Sequence, residues 1–202
     1  MRGPIEVTVE RDLYEHVRRF LFSRFGSRLA EHTGSGSFKV FADEVAEVAG
    51  EARGTWTRPD LAALVISRGT YVPYWRADLH TFEVKTASGL DVTGAHEARA
   101  QGRLGHYAWL VFQSVGRAAY GSERFDQVLR SAVELGVGVI TFTNEADPDE
   151  WGVAAWPRRT EADDAIADEF VRTRFSPSAQ LGISDFLSSY GWASRELDHN
   201  AR

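Results

Sequence analysis

The chain has 202 residues, no cysteine, 43% hydrophobic and 26% charged residues. These figures fit one soluble-type domain with a substantial core and exclude disulfides and Cys-ligated zinc or iron–sulfur sites. The net charge of −6 is uneven: residues 1–140 carry 17 Lys+Arg against 17 Asp+Glu, and residues 141–202 carry 6 against 12. A neutral front with an acidic end is not the composition of a high-pI nucleic-acid binder, so a polyanion partner would need a cation to offset the carboxylates at its site.

Residues 8–26 read as a first helix, with Leu13, Val17, Phe20, Leu21 and Phe25 on one face and Gly26 as its stop. Residues 32–37 read as a loop, and a strand is expected from Phe38. Leu61 to Ile66 is apolar on both faces, as in a central strand. Ser67 to Asp78 reads as a connection, and Leu79 to Ala87 as a strand. A helix over 95–105 places Glu97 and Gln101 four apart on a shared face. Tyr107 to Gln113 and Val139 to Phe142 are strands, with a helix from Phe125 to Leu135 between them. Trp151 to Trp156 reads as a further strand. Ala162 to Phe175 is an amphipathic helix whose last turn carries Arg172 and Arg174. Residues 1–176 are expected to form one domain. Residues 177–202 are read as an extension with a short amphipathic piece, Ile183 to Trp192, packing on the domain or on a partner. The order of elements implies an α/β protein with a mixed sheet and helices on its faces.

The chemistry concentrates in Thr81-Phe82-Glu83-Val84-Lys85. Strand alternation puts Phe82 and Val84 on one face, and Thr81, Glu83 and Lys85 on the other. A carboxylate and an ammonium in an apolar setting incur a desolvation cost, which a divalent metal ion and a phosphate would offset. Only Lys39 and Lys85 are lysines among 23 basic residues, so Lys85 stands where the chain would ordinarily place Arg. Upstream, Arg58-Pro59-Asp60-Leu61 brings a second carboxylate to the start of another apolar strand. Taken alone, Glu83 and Lys85 also read as a solvated cross-strand ion pair.

Pro59-Asp60 and Glu83-Val84-Lys85, with the order of elements over residues 8–143, resemble the PD-(D/E)xK nuclease superfamily and its restriction-endonuclease-like αβββαβ core. The resemblance implies that Asp60, Glu83 and the Val84 carbonyl hold Mg²⁺ or Mn²⁺, hard cations that prefer oxygen. It implies that the metal activates a water and polarises a scissile phosphate, and that Lys85 orients or deprotonates that water. A Glu from the first helix, Glu10 or next Glu15, would add a ligand, and Gln101 and Glu97 would support the site. The Gln-x-x-x-Tyr pattern of one helicase-associated branch is absent, since Gly105 stands four after Gln101. The implied activity is hydrolysis of DNA by an endonuclease of phage defence or DNA repair. RNA as substrate is not separated from DNA by these residues, and some members dimerise. A rival reading is a catalytically silent module of the same fold that binds DNA or a partner protein.

Arg58, Arg76, Arg99 and Arg103 are the candidate phosphate contacts by position, and Trp56, Tyr71, Tyr74 and Trp75 the candidate stacking surfaces. The six histidines show no metal-ligand spacing, and His96 and His106 read as helix-end residues. There is no P-loop and no Gly-x-Ser-x-Gly elbow. No stretch approaches the ~18 apolar residues of a membrane span. Met1 to Asp12 lacks the apolar run of a leader. The expectation is a cytoplasmic protein with no membrane partner.

Overall fold

The computed structural model describes residues 9–34, 36–46, 58–72, 74–114 and 122–190. Six strands form one mixed sheet in sequence order: β1 (Ser37–Glu44), β2 (Leu61–Arg68), β3 (Trp75–Lys85), β4 (Tyr107–Gln113), β5 (Gly138–Phe142) and β6 (Trp151–Ala155). β1, β2 and β3 are an antiparallel meander; β3, β4 and β5 run parallel, and β6 returns antiparallel. Each parallel step needs a crossover, and a helix supplies it: α3 (Val92–Gln101) between β3 and β4, and α4 (Glu123–Leu135) between β4 and β5. The α-β-β-β-α-β order expected from the sequence is present.

Both sheet faces are covered, which explains why β2 and β4 are apolar without strict alternation. On one face lies the N-terminal helical segment, where Leu13, Val17, Phe20, Leu21 and Phe25 pack on Leu61, Ala63, Phe82, Val84, Trp109 and Val111. On the other face, α3 and α4 cover Ala108, Leu110, Phe112 and Val139. Beside them, α5 (Asp164–Arg174) and α6 (Pro177–Ser189) cover Phe41, Ala62, Ile66 and Leu79. Each large side chain buried this way contributes about 1.5–3 kcal/mol, so opposite faces of one strand anchor different helices.

Several boundaries differ from the sequence reading. Gly26 does not stop the first helix. The segment opens with a 3-10 turn (Glu10–Leu13) and continues as α1 (Tyr14–Phe20), a π turn (Leu21–Phe25) and α2 (Gly26–Thr33). The stop is Gly34, at φ 67°, a left-handed conformation that glycine adopts without strain. Gly26 instead lies inside the helical run, where a Cβ would make ordinary contacts with Val40 and Phe38 of β1. The π turn lets Phe25 reach the rings of His80, Phe82 and Trp109 edge-on, at centroid distances of 5.4, 5.6 and 5.4 Å. Ser67 and the stretch from Trp75 to Asp78 are strand rather than connection, because the β2–β3 ladder extends to the Arg68–Trp75 pair. α3 begins at Val92, capped by the Asp91 side chain, and ends at Gln101. His96 is therefore mid-helix rather than terminal. His106 lies in the buried turn before β4, where its Nδ1 accepts from the Leu79 N–H at 3.0 Å. The C-terminal extension packs on the domain as α6, with Ile183 and Phe186 against Phe41. Trp192 and Trp56 lie outside the described residues.

Candidate active site

The residues singled out by the sequence meet where β2 begins and β3 ends. Asp60 stands just before β2, and its backbone is held on both sides: its N–H donates to the Phe82 carbonyl and its carbonyl accepts from Val45, each at 3.0 Å. Its side chain then leans over the end of β3. Oδ2 accepts from the Val84 N–H at 2.8 Å, and Oδ1 accepts from the Tyr14 hydroxyl of α1. Glu83 lies within β3, between β2 and β4, with its side chain on the face covered by α3. The Gln101 Nε2 group of α3 donates to Glu83 Oε2 and also to the Arg58 carbonyl at 3.2 Å. Lys85 Nζ stands 2.7 Å from Glu83 Oε1, 2.9 Å from Glu97 Oε2 and 3.8 Å from Glu10 Oε1.

Three carboxylates thus meet one ammonium, and the Asp60 carboxylate adds its charge nearby. Glu83 and Lys85 side chains are only 9% and 16% exposed, so solvent screens this imbalance poorly. Burial, and then the Asp60 charge, push Glu83 up to about 7, against the opposing pull of Lys85 and Gln101. Burial raises Asp60 as well, although the Tyr14 and Val84 hydrogen bonds and Lys85 oppose it. For Lys85, burial alone would favour the neutral amine. Hydrogen bonds and charge from Glu83, Glu97 and Glu10 outweigh it and hold the group above the ordinary lysine value. Burial and Asp60 likewise raise the Tyr14 hydroxyl, which keeps it a donor.

Local sequence explains how these groups converge. Glu97 and Gln101 are one helical turn apart on α3 and both reach β3, as their spacing predicts. Gly94 in the first turn of α3 lets the lysine stem lie against the helix, since a Cβ there would be 3.4 Å from Lys85 Cγ and 3.2 Å from Leu110 Cδ1. Glu10 is at the site, facing Lys85. Glu15 is not: it pairs with Arg18 at 3.3 Å on the exposed side of α1. Arg76 is also remote, because it lies near the start of β3 and pairs with Asp78 at 2.8 Å. The aromatics Tyr71, Tyr74 and Trp75 share that far end, where Trp75 packs against Phe186 and Tyr190. Arg99 and Arg103 are exposed on and after α3, and Arg58 is exposed beside Pro59 with its carbonyl turned to Gln101. Tyr14 was not foreseen, although Tyr14, Val17, Leu21 and Phe25 follow helical 3–4 spacing and mark it as inward-facing.

The donor chemistry fits a hard divalent cation. Two desolvated carboxylates stand together, and the buried Gln101 Oε1 beside them has no hydrogen-bond partner. The Val84 carbonyl leaves β3 on the same edge as its N–H, the edge Asp60 occupies. Among the described residues, however, no group of three or more His, Cys, Asp or Glu side chains is gathered as a metal cluster. A cation here would draw on Asp60, Glu83 and the Val84 carbonyl, with water completing its shell.

No protein-family model matches the chain, and no curated protein matches its sequence. Among solved structures it is similar to the SPO1766 protein of unknown function from Silicibacter pomeroyi. The identity is 14% over 83% of this chain and 88% of that chain, with a TM-score of 0.36, too distant to bear on chemistry. No helix among the described residues is long and apolar enough to cross a membrane.

Proposed function

We propose that the protein is a metal-dependent phosphodiesterase of the PD-(D/E)xK type, hydrolysing DNA. The observation that carries this reading is the convergence of the half-buried Asp60 carboxylate, just before β2, on the buried Glu83 of β3, with Lys85 held 2.7 Å from Glu83. Mg²⁺ or Mn²⁺ bound by Asp60, Glu83 and the Val84 carbonyl would supply Lewis-acid chemistry and offset phosphate charge. The residues of the chain do the positioning. Tyr14 and the Val84 N–H fix the Asp60 carboxylate, and Gln101 fixes Glu83. Lys85 keeps its proton at neutral pH, because Glu83, Glu97 and Glu10 raise it. Protonated, it would orient a water and stabilise charge developing on phosphoryl oxygens. Exposed Arg58, Arg99 and Arg103 would contact a phosphate backbone; Arg76, near the start of β3 and paired with Asp78, would not.

A second reading, a silent module of the same fold that binds DNA or a partner protein, is favoured by one feature. Both Asp60 oxygens already accept hydrogen bonds, from Tyr14 and from Val84. Nicking of supercoiled plasmid in Mg²⁺ or Mn²⁺ separates the two. The enzyme reading expects nicking by wild type that Lys85→Ala and Glu83→Gln abolish while circular dichroism is unchanged. A wild type that binds DNA but cleaves neither plasmid nor single strands in either metal supports the silent module.

A further inference from the structure

The opposite end of β3 carries a second polar cluster, about 17 Å along the strand from Glu83 if five residues rise 3.3 Å each. There a cavity of about 220 Å³ lies between α2 and the sheet, and His80, Tyr107, Arg76, Asp78 and Ser67 line it. Its lining sets the Arg76 and His80 donors beside the Asp78 carboxylate and several hydroxyls. Arg76 Nε and Arg159 Nε meet the two Asp78 oxygens at 2.8 and 3.1 Å, so one buried carboxylate braces two guanidinium groups. Their Nη donors have no ion-pair partner among the described residues. The cluster keeps one surplus positive charge.

His80 adds an oriented donor. The Trp109 indole N–H, which can only donate, points at His80 Nδ1 at 3.0 Å. Nδ1 is therefore the unprotonated nitrogen, the ring is neutral, and Nε2 carries the hydrogen. That Nε2–H has no hydrogen-bond partner among the described residues, although His80 is 2% exposed. His80 lines the cavity, so an acceptor held there would meet this oriented donor. The Tyr107 ring stacks on His80 at 4.7 Å, which fixes the imidazole plane. Leu29, Phe38 and Val65 give the wall an apolar part, and Thr33 and Tyr74 complete the lining.

The geometry points to a ligand-binding site here for a small monocarboxylate with an apolar body, its carboxylate taken by His80 Nε2–H and the Arg76 guanidinium and its body by Leu29, Phe38 and Val65. Charge count points to the class: Arg76 and Arg159 against Asp78 leave one positive charge, which matches a monoanion. Size agrees, since the cavity is smaller than the roughly 300 Å³ at which drug-sized pockets begin. This site is independent of the phosphodiesterase reading.

The test is titration of the full chain with benzoate, followed by NMR through the Trp109 indole N–H, which reports on His80 directly. Inorganic phosphate and uncharged benzamide are the parallel probes. Saturable binding of benzoate is expected with Kd on the order of 1 mM for so few atoms, with phosphate and benzamide weaker. Arg76→Gln should weaken benzoate by roughly tenfold or more, as loss of a charged hydrogen-bond donor does. Arg130→Gln, the same charge change on exposed α4 across the sheet, serves as the control and should retain binding with the Trp109 response intact. The inference is overturned by no saturable shift at the Trp109 indole, by phosphate or benzamide binding as tightly as benzoate, or by undiminished affinity in a folded Arg76→Gln.

Discussion

Replacing Glu83 with Gln should stabilise the metal-free protein at alkaline pH while removing activity. Glu83 would titrate near 4.5 in the unfolded chain and at about 7 in the fold, because burial and Asp60 disfavour its charge. A carboxyl raised by folding contributes stability below the unfolded value, and that contribution is lost as pH rises through the folded one. The interval between 4.5 and about 7, at about 1.4 kcal/mol per pH unit, corresponds to about 3 kcal/mol of stability lost between acid and pH 8. Glutamine keeps the shape and bears no charge, and Lys85 retains Glu97 at 2.9 Å. Urea unfolding with chelator at pH 5, 6, 7 and 8 measures the effect. Glu83→Gln should gain on wild type by up to about 3 kcal/mol across that range, and added Mg²⁺ should narrow the gap by stabilising wild type alone. A difference between the two proteins that stays constant from pH 5 to pH 8 would refute the reasoning, because Glu83 would then be ionised in the fold at no unusual cost.

Two further outcomes follow from packing. Gly94→Ala gains about 1 kcal/mol of helix propensity, yet its methyl would crowd Leu110 Cδ1 at 3.2 Å and touch the Lys85 stem at 3.4 Å. Nicking activity should fall at least severalfold with little change in Tm, and unchanged activity would show that the lysine stem is not held by α3. His80 is depressed to about 3 by burial first, and then by His106 and Arg76. A histidine depressed by folding contributes fully above its unfolded value near 6.5, and stability should fall by about 1.4 kcal/mol per pH unit below it. NMR titration checks this directly, since protonation of the His80 ring above pH 5 in the folded protein would contradict it.

Much of the site was legible in the residues themselves. Period-2 alternation placed Glu83 and Lys85 on one face of β3, and the four-residue spacing of Glu97 and Gln101 brought both to that strand. The run Leu61 to Ile66 showed a strand buried on both faces. Such signals are local: each depends on a repeat of 2 or 3.6 residues that the backbone imposes wherever it folds. The end of the first helix was misread because Gly26 looks like a stop. Only the folded chain shows the helix continuing past this glycine into α2 and Gly34 supplying the left-handed turn.

Partnerships between distant segments were decided by the tertiary structure alone. Nothing near Asp60 in the chain announces Tyr14, 46 residues away, as the donor to its carboxylate. Glu10 and Glu15 are equivalent as helix acids in sequence, yet the docking of α1 on the sheet brings Glu10 to Lys85 and leaves Glu15 on the outer side with Arg18. Arg76 reads as a neighbour of the site until the β2–β3 register places it at the other end of the strand, bound to Asp78. The sequence determined which chemical groups the protein owns and which face of each element they occupy. Helix docking and strand register determined which groups meet. Hydrogen bonds and ion pairs act within a few ångströms, and their strength depends on the burial that only the assembled core provides.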